Sequence, residues 1–214
     1  MSTVTLPEQQ RFVFDGIRWD QYLGWDALIE DRRVRLTYDR GRLEFMTLSL
    51  IHERVKMLFH DLISVLTEEF RVPRLNGGST TFRREDLDRG LEPDQCYYLE
   101  NEPIVRDKDE IDLTIDPPPD LAIEIEISRS VLDRLGILAA LGVPEVWCSD
   151  GESARFLRLQ ESGEYAKVPV SPHFPGIPSA DFIPFLQQRT QTDAQSLMNS
   201  FRDWVRSRRN SHEG

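Results

Sequence analysis

The sequence predicts an α/β fold on three observations: a hairpin pattern near its start, a long amphipathic helix after it, and a strand, helix, strand succession mid-chain. At 214 residues the chain can bury a full core, and that length suits one α/β domain with short extensions. The expected division is a domain over residues 1–178, with an N-terminal hairpin, followed by a C-terminal helical extension over 179–214.

Each element has its own signal. VRLTYDRGRLEFM alternates apolar and polar residues around Asp39-Arg40-Gly41, a hairpin with Gly41 in the turn. Ile51, Val55, Leu58, Leu62, Leu66 and Phe70 recur at steps of three and four, which predicts a helix from about Leu50 to Phe70 that must pack on something flat. Pro73 follows it, and NGGSTTFRREDLDRGLEPD reads as a turn-rich connector with a short strand around Ser79 to Arg83. QCYYL is rich in strand-favouring residues, and DLAIEIEIS alternates Leu121, Ile123, Ile125 and Ile127 with Asp120, Ala122, Glu124 and Glu126. An acidic, proline-ended loop joins these two strands. Ser128 or Ser130 can cap a helix running to about Leu141, Gly142 ends it, and VPEVWCSD returns as a strand, an order that normally gives a parallel crossover. RFLRLQ and EYAKVPV flank Gly163 as an outer hairpin, and helices around Phe182 to Gln188 and Asp193 to Ser207 close the chain.

Composition narrows the function classes. No apolar run approaches the ~20 residues of a membrane helix, and MSTVTLPEQQRF lacks the regions of a signal peptide, so the cytoplasm is the expected compartment. Cys96 and Cys148 are the only cysteines, too few for a four-thiolate zinc site, and read as buried thiols. A net charge of -11 argues against coating nucleic acid non-specifically. Acids waiting for cations inflate that charge, and RDWVRSRR concentrates basic residues near the C-terminus.

The acids carry the chemistry. Asp120, Glu124 and Glu126 share one face of a strand whose helix-then-strand continuation places it inside a sheet, where both faces are normally apolar. Glutamates two residues apart repel, and a divalent cation is the simplest compensation. Hard Mg²⁺ or Mn²⁺ suits carboxylate oxygens, and Asp94 can add a ligand from the neighbouring strand. Such an ion activates water against a phosphodiester. The bland alternative is a solvated edge strand guarded by charge. His52 and Glu53 read as a surface pair. Arg83, Arg84 and Arg89 read as local ion-pair formers, and Trp147 and Tyr97 as core. His60, His173 and His212 have no zinc-like spacing.

LEPDQCYYL, PPDLAIEIEIS and ALGVPEVWCSD, together with GSTTFRREDLDRGLEPD, resemble the Uma restriction-endonuclease family of the PD-(D/E)xK superfamily, over about Trp19 to Asp150. The resemblance implies a restriction-endonuclease-like mixed central sheet flanked by helices. It implies a Mg²⁺-dependent endonuclease that hydrolyses DNA, with Asp94 and Glu124 chelating the metal and Asp120 a ligand or a supporting partner. Glu126 stands where the superfamily's lysine would be, and Arg134, on the following helix, supplies the cation instead. Arginine can stabilise phosphate charge but is a poor general base. Double-strand cutting in this superfamily often uses a homodimer. Two other readings remain open: a catalytically weakened module that binds nucleic acid or protein, and a nuclease acting on RNA. In a pure binding module, Glu124→Gln would keep the partner and relieve the repulsion between glutamates.

Overall fold

Alternating side chains and tight turns build two sheets, and the helices are long enough to cover them. The computed structural model describes residues 9–29, 34–128 and 130–212. Residues 1–8, which hold most of the segment read as leaderless, and the His212 side chain lie outside that description. In chain order the elements are β1 (Arg11–Asp15), α1 (Trp19–Ile29), β2 (Val34–Asp39), β3 (Arg42–Thr47), α2 (Leu50–Phe70), β4 (Leu75–Gly78), β5 (Phe82–Arg84), β6 (Arg89–Leu91), β7 (Gln95–Tyr98) and α3 (Glu102–Val105). There follow β8 (Leu121–Ile125), α4 (Arg134–Ala140), β9 (Glu145–Ser149), β10 (Ala154–Leu159), β11 (Tyr165–Val168), α5 (Ile183–Gln188) and α6 (Ala194–His212).

The first sheet has the order β1-β3-β2-β6-β5 and is antiparallel throughout. Its tight hairpin places both Arg40 and Gly41 at positive φ, 46° and 84°, the primed turn that matches the strands' twist. Glycine adopts that conformation freely; Arg40 is held in it by its N–H donating to the Asp88 carbonyl at 2.9 Å. One face of this sheet is apolar, with Leu36, Tyr38 and Leu43 packed under α1 and Tyr22 stacked on Tyr38 at 4.8 Å. The opposite face carries Arg35, Thr37, Glu44 and Met46, because residues paired across antiparallel strands point the same way.

The second sheet is mixed, in the order β11-β10-β9-β8-β7-β4, with β8 and β9 parallel. The strand with the acids therefore lies inside the sheet and is buried along its whole length. Leu121, Ile123 and Ile125 face the main core with α2 and α6, while Ala122 faces a second cluster with Ile137 and Leu138 of α4. The helix before β9 is shorter than the sequence suggests. Ser130 gives its hydroxyl to Glu44, and Asp133 caps α4 by accepting from the Gly136 N–H at 3.0 Å.

The main core is aromatic at its centre. Trp147 stacks on Phe156 at 4.1 Å, and Phe182 meets both edge-on. Phe182, Phe185, Leu186, Leu197, Phe201 and Val205 all belong to this cluster, so the C-terminal helices complete it. Cys96 and Cys148 are buried thiols, and Trp147 and Tyr97 are core residues. The basic run of α6 is largely consumed by ion pairs: Arg202 with Glu68 and Glu69, Arg206 with Glu69, and Arg208 with Asp181. Arg83 pairs with Asp26, Arg84 with Asp86, and Arg89 with Asp39, the local pairs the sequence suggests. Among the described residues no helix is long and apolar enough to cross a membrane.

A buried carboxylate at the start of β9 makes stability depend on pH. Glu145 accepts from the Trp147 indole N–H at 2.6 Å and contacts the His173 ring. Burial alone would lower the His173 pKa, but Glu145 outweighs it and raises the value above 6.5. The raised value means His173 contributes stability in full below its unfolded value, and this is lost as pH rises through the folded one. Thermal melts should show wild type more stable than His173→Gln at pH 5.5, with the gap narrowing as pH rises past neutrality. A gap that is constant with pH would contradict this.

Candidate active site

Strand register brings the acids together. In β7 and β8, Gln95 pairs with Ile123 and Cys96 with Ala122; continued by one residue, this antiparallel register sets Asp94 abreast of Glu124. Both side chains line one cavity of about 570 Å³ between the polar face of the first sheet and the segment joining β8 to α4. Both are nearly inaccessible, Asp94 at 1% and Glu124 at 4% exposure.

Buried acids need partners, and these have them. Asp94 accepts from the Ile125 N–H through Oδ2 at 2.6 Å. Its Oδ1 has Arg35 Nη1 at 2.8 Å and His52 Nε2 at 3.1 Å, neither aligned as a hydrogen bond. Burial pushes the Asp94 carboxyl up, but His52, Arg35 and Arg134 outweigh it and hold the group far below the carboxylate range. Glu124 is gripped by a fork: Arg134 Nε donates to Oε2 at 2.7 Å and Nη2 to Oε1 at 2.9 Å. The same guanidinium donates to Thr37 Oγ1 at 2.6 Å and to the Glu92 carbonyl at 2.9 Å. Burial pushes the Glu124 pKa up, Arg134 pulls it down, and neighbouring Asp94 pushes it up again. For Arg134 burial acts to lower the pKa, but Glu124 prevails and the guanidinium stays charged.

The other acids go elsewhere. Asp120 caps the turn after β7, accepting from Leu99 N at 2.6 Å, Asn101 N at 2.9 Å and Asn101 Nδ2 at 2.6 Å, and it does not line the cavity. Glu126 lies just past the end of β8, where it is exposed, and pairs with Arg155 at the cavity wall. Asp94, Glu124, Glu126 and Arg134 thus share the cavity, and Asp120 stands outside it.

His52 corrects the surface-pair expectation. It is fully buried, between Asp94 and Glu53, whose carboxylate lies 3.2 Å from Nδ1. Those partners outweigh burial and raise the His52 pKa, while His52 and Lys56 hold Glu53 down to about 2. The reason is helix phase: Ser49 accepts from the His52 N–H to start α2, and His52, Val55 and Phe59 then fall on the inward face. His52 lies behind Asp94 and does not line the cavity.

Sequence reasoning missed Arg35, Thr37, Glu44, Glu92 and Arg11. Arg35 is 3% exposed and also donates to the Pro93 carbonyl and Ser79 Oγ. Burial pushes Glu92, beside Arg35, up. Glu44 accepts from Arg11 Nη1 at 2.6 Å, Ser130 Oγ at 2.9 Å and Val131 N at 3.1 Å, so the first sheet fastens the segment that walls the cavity. The signal was present: the polar positions of VRLTYDRGRLEFM form an unbroken face, which needs its own partner.

A divalent cation can be tested against these donors. Among the described residues no three His, Cys, Asp or Glu side chains converge on one point. Mg²⁺ needs no such cage, since it is held by one or two carboxylates and keeps waters or takes phosphate oxygens. Asp94 Oδ1 is a buried acceptor without a directed donor, and Glu124 stands beside it facing the same space. Their oxygen chemistry suits a hard cation, which would take one Glu124 oxygen from Arg134 and share Asp94 Oδ1 with Arg35 and His52.

The model of the Uma2 family, described as "Putative restriction endonuclease", matches residues 19–194. The chain belongs to the Uma2 family. That match spans Asp94, Glu124, Glu126 and Arg134. Among solved structures the chain is similar to "a putative nuclease belonging to DUF820 from Anabaena variabilis ATCC 29413", at 14% identity and a TM-score of 0.49, covering 79% of this chain and 90% of that one. No curated protein matches. In this Uma2 chain the position two after Glu124 is Glu126, and the cation facing the acid pair comes from α4 as Arg134.

Proposed function

We propose that this Uma2 protein is a Mg²⁺-dependent endonuclease that hydrolyses phosphodiester bonds of DNA. The observation that carries the reading is the juxtaposition of Asp94 and Glu124 on neighbouring strands, both opening on one cavity that also holds a charged Arg134. Asp94 and Glu124 would hold the ion, which, when bound, polarises the phosphate and lowers the pKa of a water. Arg134 is placed to neutralise charge growing on the phosphoryl oxygens, donating from a planar fork already fixed by Thr37 and the Glu92 carbonyl. Asp120 acts at one remove by fixing the turn that ends β7, and Glu126 sits at the wall with Arg155. His52 and Arg35 hold Asp94 ionised and in place from behind.

Purified protein should bind Mg²⁺ or Mn²⁺ by calorimetry and cleave DNA only when one is present, with EDTA and Asp94→Asn each abolishing cleavage. Absence of both metal binding and cleavage across a range of salt would end the proposal. One observation favours a second reading, a module that binds without cutting: Arg134 engages both oxygens of Glu124, and the superfamily's lysine position holds Glu126. Its signature is nucleic-acid or protein binding that persists unchanged in Asp94→Asn with no product formed.

A further inference from the structure

We infer that the cavity takes single-stranded DNA, entering as one or two unstacked nucleotides, in preference to the side of an intact double helix; this rests on the nuclease reading above. Burial of the acids carries the argument. At 1% and 4% exposure, Asp94 and Glu124 meet a phosphate only if it descends into the recess. A volume of about 570 Å³ is on the scale of one small ligand, in the roughly 300–1,000 Å³ range, and so of a nucleotide or two. A duplex is stiff, with a persistence length of about 50 nm, and does not fold one phosphate into such a recess without local melting. A single strand does so with ordinary backbone rotations.

The walls match that guest. Met46, Leu132 and Leu135 give the cavity an apolar side, and Val131 is 61% exposed at its edge, a surface against which the face of an unstacked base can lie. Of its cations Arg11 is held by Glu44 and Ser128, which leaves Arg134 and Arg155 for one or two phosphates. The Arg155 pair with Glu126 is exposed, and such pairs contribute little, so a phosphate can take Arg155 over. In α6 Arg202, Arg206 and Arg208 alternate with the acids they pair with, Glu68, Glu69 and Asp181, so that surface carries both signs of charge. The net charge of -11 further opposes a broad phosphate-tracking surface.

The test compares one sequence as single-stranded DNA, blunt duplex, duplex with a single-stranded overhang, and single-stranded RNA. Cleavage is read in Mg²⁺ and Mn²⁺, and binding is read by fluorescence anisotropy in Ca²⁺. Single-stranded DNA should be bound and cut at least about tenfold better than blunt duplex, as expected from the few kcal/mol that unpairing and unstacking a duplex nucleotide costs, and the tailed duplex should be cut in its overhang. The salt dependence of single-strand binding should follow one or two phosphates, a slope of about −0.7 to −1.4, falling in magnitude by about 0.7 in Arg155→Ala. Blunt duplex bound or cut as well as single strand overturns the inference. So does a single-strand affinity indifferent to Arg155→Ala, which would place the strand elsewhere, or a tenfold preference for RNA. If no DNA is cut in either metal, the nuclease reading falls while the binding arm still decides the guest: single strand bound tighter and sensitive to Arg155 upholds the cavity assignment, and any other pattern overturns it.

Discussion

Asp94→Ala is expected to abolish metal-dependent cleavage, a loss of at least about 10³-fold or roughly 4 kcal/mol of barrier, and to destabilise the fold at the same time. The two losses have one cause. Asp94 is the counter-ion of Arg35, itself 3% exposed, and accepts the Ile125 N–H at the end of β8. Truncation leaves a buried guanidinium with only the more distant Glu92, at 3.7 Å, as counter-ion, which costs about 3 kcal/mol or more. In a chain of this size that is a fall in Tm of roughly 6–20 °C. Asp94→Asn keeps an acceptor for the Ile125 N–H and should lose less stability while losing as much cleavage. Because the Asp94 pKa is depressed, its contribution is present above the ordinary aspartate value of 3.8 and disappears as pH falls through the folded value, so the difference in Tm from wild type should shrink only in strong acid. A variant that melts with wild type at neutral pH would show that Arg35 finds another partner and that the paired geometry is not what stabilises this edge.

Much of this arrangement is legible in the sequence, and the illegible part has a physical reason. The stripe from Val55 to Phe70, the turn at Arg40-Gly41 and the alternation in DLAIEIEIS each specify an element through local periodicity, and the structure has α2, the β2–β3 hairpin and β8 there. Asp94 and Glu124 were readable as neighbours because each stands in a strand-forming segment and an interior strand should not carry unpaired acids. Arg35, Thr37 and Glu44 were not, because their alternation says only that the hairpin has a polar face, not what lies against it. That face closes over the segment joining β8 to α4, with Thr37 and Arg134 97 residues apart along the chain. His52 is hard to read for a related reason: beside Glu53 it has the composition of a surface pair, and only the helical phase it shares with Val55 and Phe59 turns it inward. Asp120, Glu124 and Glu126 look equivalent in alternation, yet a turn takes the first and the strand's end exposes the third.

That last difference reverses an expectation about Glu124. If repulsion between Glu124 and Glu126 dominated, Glu124→Gln would stabilise the protein. In the structure Glu126 is exposed and paired with Arg155, and Glu124 is the bidentate partner of Arg134, whose side chain is 10% exposed. The amide can accept at one oxygen but turns a donor toward the guanidinium, so Arg134 keeps its charge and loses its counter-charge. Glu124→Gln is therefore expected to destabilise by about 3–5 kcal/mol and to remove metal binding measured by calorimetry. The double variant Glu124→Gln, Arg134→Met supplies the control. Removing the stranded charge should recover much of the lost stability, because a buried ion pair replaced whole costs far less than one broken by half. Cleavage should stay absent in both proteins, since neither retains Glu124's charge. Denaturant melts of wild type, Glu124→Gln, Arg134→Met and the double variant give the coupling energy directly. A coupling near zero, with Glu124→Gln as stable as wild type, would mean the fork at Glu124 is not formed in solution, and the place assigned to Arg134 would have to be given up.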